Sequence, residues 1–185
     1  GVGVLGNASL AQNPATHGVL IINGGTISHA RTAVSNVGWA GNDFAWGTQG
    51  GIIDANGANF LNNKRDLQFV SYHSYIGSYE RDYKASFINC TFERNSFYNM
   101  EEPHSSVSIW DVNGVRFLGC TFTNQPTEFA HSGNAIYSLS GQFRADQYAP
   151  LNGTARATSF SGYNYGIHAT NVCRADKFTT IANST

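Results

Sequence analysis

Charge is scarce in this sequence. Lys and Arg together number 11 and Asp and Glu 12 in 185 residues, 12% of the chain, and neither sign forms a run. The basic stripe that a phosphate backbone demands is therefore missing, which argues against nucleic acid as a partner. Long apolar runs are missing as well. No stretch approaches the roughly 18 residues of a membrane span, and the opening "GVGVLGNASL" lacks the basic start and apolar centre of a signal peptide. If the protein is exported, its signal lies upstream of residue 1. Proline is down to 4 and methionine to 1. Surfaces of helical proteins normally carry far more Lys and Glu than this, which argues against a helical fold.

Glycine and asparagine take the place of charge, with 20 and 19 residues, and 41% of the chain is apolar, enough to fill the core of one domain. This is the composition of a turn-rich β protein. Its order is repetitive. "FINCTFERN" at residues 87 to 95 returns as "FLGCTFTNQ" at 117 to 125. Phe92 of the first copy matches Phe122 thirty residues on, Phe60 thirty-two residues earlier, Ile27 thirty-three before that, and Phe160 thirty-eight beyond Phe122. Between these anchors lie short β-rich runs, "TAVSNV", "DLQFVS", "VSIWDV", "NAIYSL" and "YGIHAT", none with a helical period. Repeats of this length, each of several short strands, are coils of a solenoid that bury their apolar faces by stacking.

In parallel coils each inward residue meets its own counterpart about 4.8 Å above and below. Phe60, Phe92 and Phe122 are expected to stack. Cys90 lies over Cys120 either as a small apolar pair or as a disulfide, since stacked strands bring the Cα atoms into the permitted range. Asn63 and Asn95, each three places after an anchor, are expected to bond through their amides.

Segments such as "HGVLIINGGTISHARTAVSN", "GGIIDANGANFLNNKRDLQFVSY" and "SIWDVNGVRFLGCTFTN" resemble the right-handed parallel β-helix of the pectin-lyase-like superfold. More closely, they resemble β-helical stretches of large secreted proteins of Bacteroidota, many of them cargo of the type nine secretion system. The resemblance covers residues 17 to 185 and implies an all-β, right-handed parallel β-helix of about five coils with loop excursions. Residues 1 to 16 are left as an entry segment or first partial coil. It implies an extracellular or cell-surface location. The closing "IANST" matches "FINCT", so the sequence predicts that the 185 residues belong to a longer polypeptide, with further coils or a capping partner protein over the last coil.

Enzymes of that superfold cleave acidic polysaccharides, yet the strings that polygalacturonases carry ("NTD", "GHG", "RIK") do not occur. Asp111 and Arg116, five apart across "DVNGVR", are the nearest acid and base, and "MEEPH" gathers Glu101, Glu102 and His104 at a loop tip. Six histidines, His17, His29, His73, His104, His131 and His168, show no metal-ligand spacing, and Cys173 has no counterpart in another coil. Asn-x-Ser/Thr sites stand at Asn7, Asn89, Asn152 and Asn183. No catalytic residue, metal site or cofactor is assigned.

Two coils depart from the ladder, with "GWAGNDFAWGTQ" at 38 to 49 and "YHSYIGSYERDY" at 72 to 83. Trp39, Phe44 and Trp46 in the first, and Tyr72, Tyr75, Tyr79 and Tyr83 in the second, are the candidate ligand-binding residues. Loop-borne rings on stacked coils can form a platform for a glycan or a protein partner, or can fold back over the coil flank. The function expected is that of a structural or adhesive module without catalysis. The alternative is a polysaccharide lyase or glycoside hydrolase.

Overall fold

The computed structural model describes residues 1–100, 104–125, 133–170 and 180–182. Glu101, Glu102, His131, Cys173 and Asn183 lie outside the described residues, as does most of the segment after Thr170. Every regular element among the described residues is a β-strand. They stack as a β-solenoid of about five turns whose coils pass through three parallel sheets in a fixed order. Sheet 1 contains Val2–Gly3, Val34–Ser35, Leu67–Phe69, Ser105–Trp110, Asn134–Leu139 and Tyr165–Thr170. Sheet 2 contains Val19–Asn23, Ile52–Asn56, Ala85–Ile88, Asn113–Leu118, Gln142–Asp146 and Thr180–Ile181. Sheet 3 contains Thr26–Ser28, Asn59–Leu61, Thr91–Arg94, Thr121–Asn124 and Ser159–Ser161. The five β-rich runs between the anchors are thus the strands of sheet 1.

The anchors stand in register. Ile27 lies beside Phe60, Phe60 beside Phe92, Phe92 beside Phe122 and Phe122 beside Phe160. Their rings pile nearly face to face, with centroids 4.8, 4.4 and 5.0 Å apart from Phe60 through Phe160. A second column on sheet 2, Phe87 on Phe117, stacks at 5.3 Å and meets the first edge-on, with Phe87 6.1 Å from Phe92. Aliphatic residues of sheet 1, Leu67, Val107, Ile109 and Ile136, complete a dry interior. Cys90 and Cys120 are buried free thiols, the apolar pair rather than the disulfide.

Between sheets 2 and 3 the chain turns on a single left-handed residue, Gly57, Asn89 or Gly119 in successive coils, with φ of 64°, 51° and 65°. Glycine and asparagine tolerate that conformation best. Asn89 is therefore a corner residue, between the strands that end at Ile88 and begin at Thr91. The amide at each corner donates to the next coil, Gly57 N to Ile88 O at 2.9 Å and Asn89 N to Leu118 O at 2.9 Å, so the ladder survives the bend.

The asparagine ladder runs one place away from the expected pair. Asn95 bonds Asn62, not Asn63: the Asn62 Nδ2 donates to Asn95 Oδ1 at 2.9 Å, and Asn95 N donates to Asn62 Oδ1 at 2.9 Å. Asn63 instead turns inward, accepting from Ala30 N at 2.8 Å and donating to Ile27 O at 2.9 Å. The cause is a difference in strand length. The second coil leaves sheet 3 at the left-handed Asn62, with φ 54°, whereas the third continues through Arg94.

Residues 1–16 are woven into the solenoid. Val2 and Gly3 pair in parallel with Val34 and Ser35 as the first strand of sheet 1. Gln12 then plugs the corner between sheets 1 and 2: its Nε2 donates to Gly50 O at 2.8 Å, its Oε1 accepts from Lys84 N at 2.6 Å, and its N donates to Ser74 Oγ at 3.1 Å.

Candidate binding surface

Both excursions leave from the corner between sheets 1 and 2, and each forms an antiparallel hairpin. In the first, Gly38–Ala40 pairs with Asp43–Ala45 around Gly41 and Asn42; in the second, Ser74–Ile76 pairs with Tyr79–Arg81 around Gly77 and Ser78. Gly41 and Gly77 both have φ 63° at the first loop position, which two-residue hairpins require of the residue placed there.

Pairing Trp39 with Phe44 across the first hairpin sets their rings 4.8 Å apart, and Phe44 meets Trp46 edge-on at 5.5 Å. Trp46 then meets Trp110 at 5.8 Å. Trp110 is the last residue of its sheet 1 strand and projects outward, so hairpin and sheet share one ring cluster. The cluster stays open to solvent, with Trp39 49% exposed, Trp46 52% and Trp110 38%. Trp110 escaped the sequence reading because "VSIWDV" reads as one core strand, and only the register shows which residues face out.

The second excursion divides. Tyr75 and Tyr79 are exposed on the hairpin, but Tyr72 and Tyr83, read from sequence as part of the platform, are buried at its roots. Tyr72 bridges to Val112 in parallel, and its hydroxyl donates to Leu10 O at 2.6 Å. Tyr83 donates to Gly51 O, and its ring packs edge-on against Phe69 and Tyr72, each at 5.7 Å. Burial pushes both phenols above their ordinary range. These two tyrosines are core residues with a polar tip that finds a backbone acceptor, and they have no face to offer a ligand. Nor do the two excursions form one platform: among the described residues no ring contact joins Tyr75 or Tyr79 to the tryptophan cluster.

At the base of the second hairpin His73 lies between two carboxylates, with Nδ1 2.7 Å from Glu80 Oε1 and Nε2 3.0 Å from Asp111 Oδ2. Ser71 Oγ also donates to Asp111, at 2.9 Å, and Asn113 Nδ2 donates to Glu80 at 2.5 Å. Asp111 is itself a left-handed corner residue, with φ 50°. The arrangement clamps the hairpin to the coil below. It also holds Asp111 at the corner, while Arg116 sits outward on sheet 2 in a row that reads Ile21, Asp54, Ser86, Arg116, Arg144. That row has one carboxylate, two strands from Arg116. Among the described residues no group of three or more His, Cys, Asp or Glu could hold a metal ion. No protein-family model, curated protein or solved structure gives a significant match to the chain.

Proposed function

We propose that this chain is a non-catalytic, adhesive β-solenoid module of a secreted or cell-surface protein, and that the Trp39, Phe44, Trp46 and Trp110 surface is its contact for a glycan. The supporting observation is that four rings follow one another in contact, Trp39 to Phe44 to Trp46 to Trp110, and that the three tryptophans remain exposed to solvent. Contiguous exposed aromatic rings mark interaction sites, and flat rings match the apolar faces of sugars. A rigid rod is a suitable mount, because stacked coils hold a surface at fixed geometry. The resemblance of its repeats to β-helical stretches of secreted Bacteroidota proteins supports an extracellular or cell-surface location, which cell fractionation with an antibody to the chain would check.

The chain has three tryptophans, and all three belong to this surface, so emission excited selectively at tryptophan reports on it. Titration with a panel of neutral oligosaccharides is expected to shift the emission, and Trp46→Ala to remove most of the response. A flat response across the panel would remove glycan binding and leave a purely structural module.

A further inference from the structure

Across the corner from the tryptophan surface, the second hairpin leans over the beginning of sheet 2 and leaves a groove of about 520 Å³. Tyr75, Tyr79, Glu80, Asp82, Asn113 and Gln142 line it. Its position is set by a β-bulge. Asn113 pairs with Gln142 and Val115 with Phe143, so Gly114 is the extra residue. Gly114 has φ 98°, and a Cβ there would stand 2.5 Å from the Asp82 Cβ. Only glycine lets the hairpin root lie this close to the strand, and this closeness holds Asp82 at the groove's edge. Asp82 also borders an adjoining depression of about 230 Å³, walled by Arg116 and Arg144.

The groove is built of fixed polar groups beside open rings. Glu80 is held from two sides by His73 and Asn113, as described above. Asn113 is only 7% exposed, with its Oδ1 sealed from solvent and without a hydrogen-bond partner, so the residue is a fixed part of the groove's lining. Tyr79 is 71% exposed. The charges cancel: Glu80 and Asp82 face Arg81 and Arg116, while Arg144 is taken by Asp146 at 2.5 Å. A strongly anionic or cationic ligand gains nothing from such a lining. A ligand carrying many hydroxyls and one apolar face gains from all of it, since acceptors, donors and flat rings converge.

We propose that this groove binds a neutral saccharide, with the Tyr79 and Tyr75 rings against a pyranose face. Glu80 and Asp82 accept from its hydroxyls, and Gln142 and Arg81 donate to its oxygens. The site is independent of the tryptophan surface: Trp110 ends sheet 1 before corner residue Asp111, and Asn113 opens sheet 2 after it.

The test is ligand-observed NMR on the whole chain with tetrasaccharides of glucose, xylose, mannose and N-acetylglucosamine. At least one is expected to bind. Its affinity should fall by about tenfold or more in Tyr79→Ala and in Asp82→Asn, exposed positions whose loss leaves the fold intact, as circular dichroism would verify. Phe97→Ala, an exposed ring on another loop, should bind as the parent does. Tetragalacturonate should not displace the bound sugar. The proposal is overturned if none of the four binds, if both groove variants keep the parent affinity, or if tetragalacturonate competes. It is equally overturned if binding vanishes in Trp39→Ala/Trp46→Ala and not in the groove variants, which would assign it to the tryptophan surface.

Discussion

Two charged side chains at the corner between sheets 3 and 1 are removed from solvent altogether, and their chemistry sets a pH dependence. Arg94 is fully buried, with Nε donating to Asn63 O at 3.1 Å and its guanidinium 5.8 and 6.0 Å from the rings of Tyr98 and Tyr163. Asp66, also fully buried, accepts from Asn63 Nδ2 at 2.9 Å. Burial pushes its carboxyl from the ordinary 3.8 up to about 7, against the opposing pull of Arg94. Below about pH 4 both folded and unfolded chains hold this proton. Between there and about 7 only the folded chain does. The folded state therefore binds more protons across that interval, and stability falls as pH rises through it. Melting temperatures measured from pH 4 to 8 should decline in the parent relative to Asp66→Asn, whose side chain keeps an acceptor for Asn63 and has no proton to lose. Parallel curves for the two proteins would refute the assignment.

At the scale of strands, the phenylalanine column ties four coils together. Phe92 has a stacked ring on each side, Phe60 at 4.8 Å and Phe122 at 4.4 Å, and edge contacts to Phe87 and Phe117 at 6.1 Å. Phe92→Ala would empty a site that flanking strands cannot close, because the parallel ladders on both sides fix their spacing. A loss of about 3 to 5 kcal/mol is expected, measurable by denaturant unfolding, and a loss under about 1 kcal/mol would mean that the column does not hold the coils. This column was legible in the sequence, because a large inward ring recurs at a near-constant interval and stacking demands that regularity. The asparagine ladder was less so, since the extra residue that Arg94 adds to its strand leaves no mark in the spacing of anchors. The hairpins could have been found: "AGND" and "IGSY" each put glycine at a two-residue turn between β-rich runs, a stronger signal than the aromatic content that drew attention to them. Tyr72 and Tyr83 could not have been sorted from Tyr75 and Tyr79 by type or spacing. Their burial follows from the entry segment and Gly51, which supply acceptors for their hydroxyls from far away in the chain. The clamp of His73, Glu80 and Asp111 was hidden for the same reason, spanning 38 residues.

Across the whole solenoid, the placement of acids bears on whether it can cut a polysaccharide. Glycoside hydrolysis needs two carboxyl groups about 5 to 9.5 Å apart flanking a bond, and elimination needs a base free to take a proton. Here Asp111 is tied to His73 and Ser71, Glu80 to His73 and Asn113, and Asp146 to Arg144. Asp66 is buried, and Asp54 is the one acid in the outward row of sheet 2. These five acids are thus held by neighbours, sealed from substrate or alone in their row, which leaves Asp82, exposed beside Glu80 in the groove, as the acid open to a ligand there. We expect no turnover of polygalacturonate or alginate by this chain, judged by the absorbance of unsaturated products and by new reducing ends over a day with concentrated protein. Asp111 and Arg116 are the positions through which the opposite result would act. Product formation that disappears in Asp111→Asn or Arg116→Ala would make the solenoid an enzyme, whereas formation that survives both would point to a contaminating activity and leave the non-catalytic reading in place.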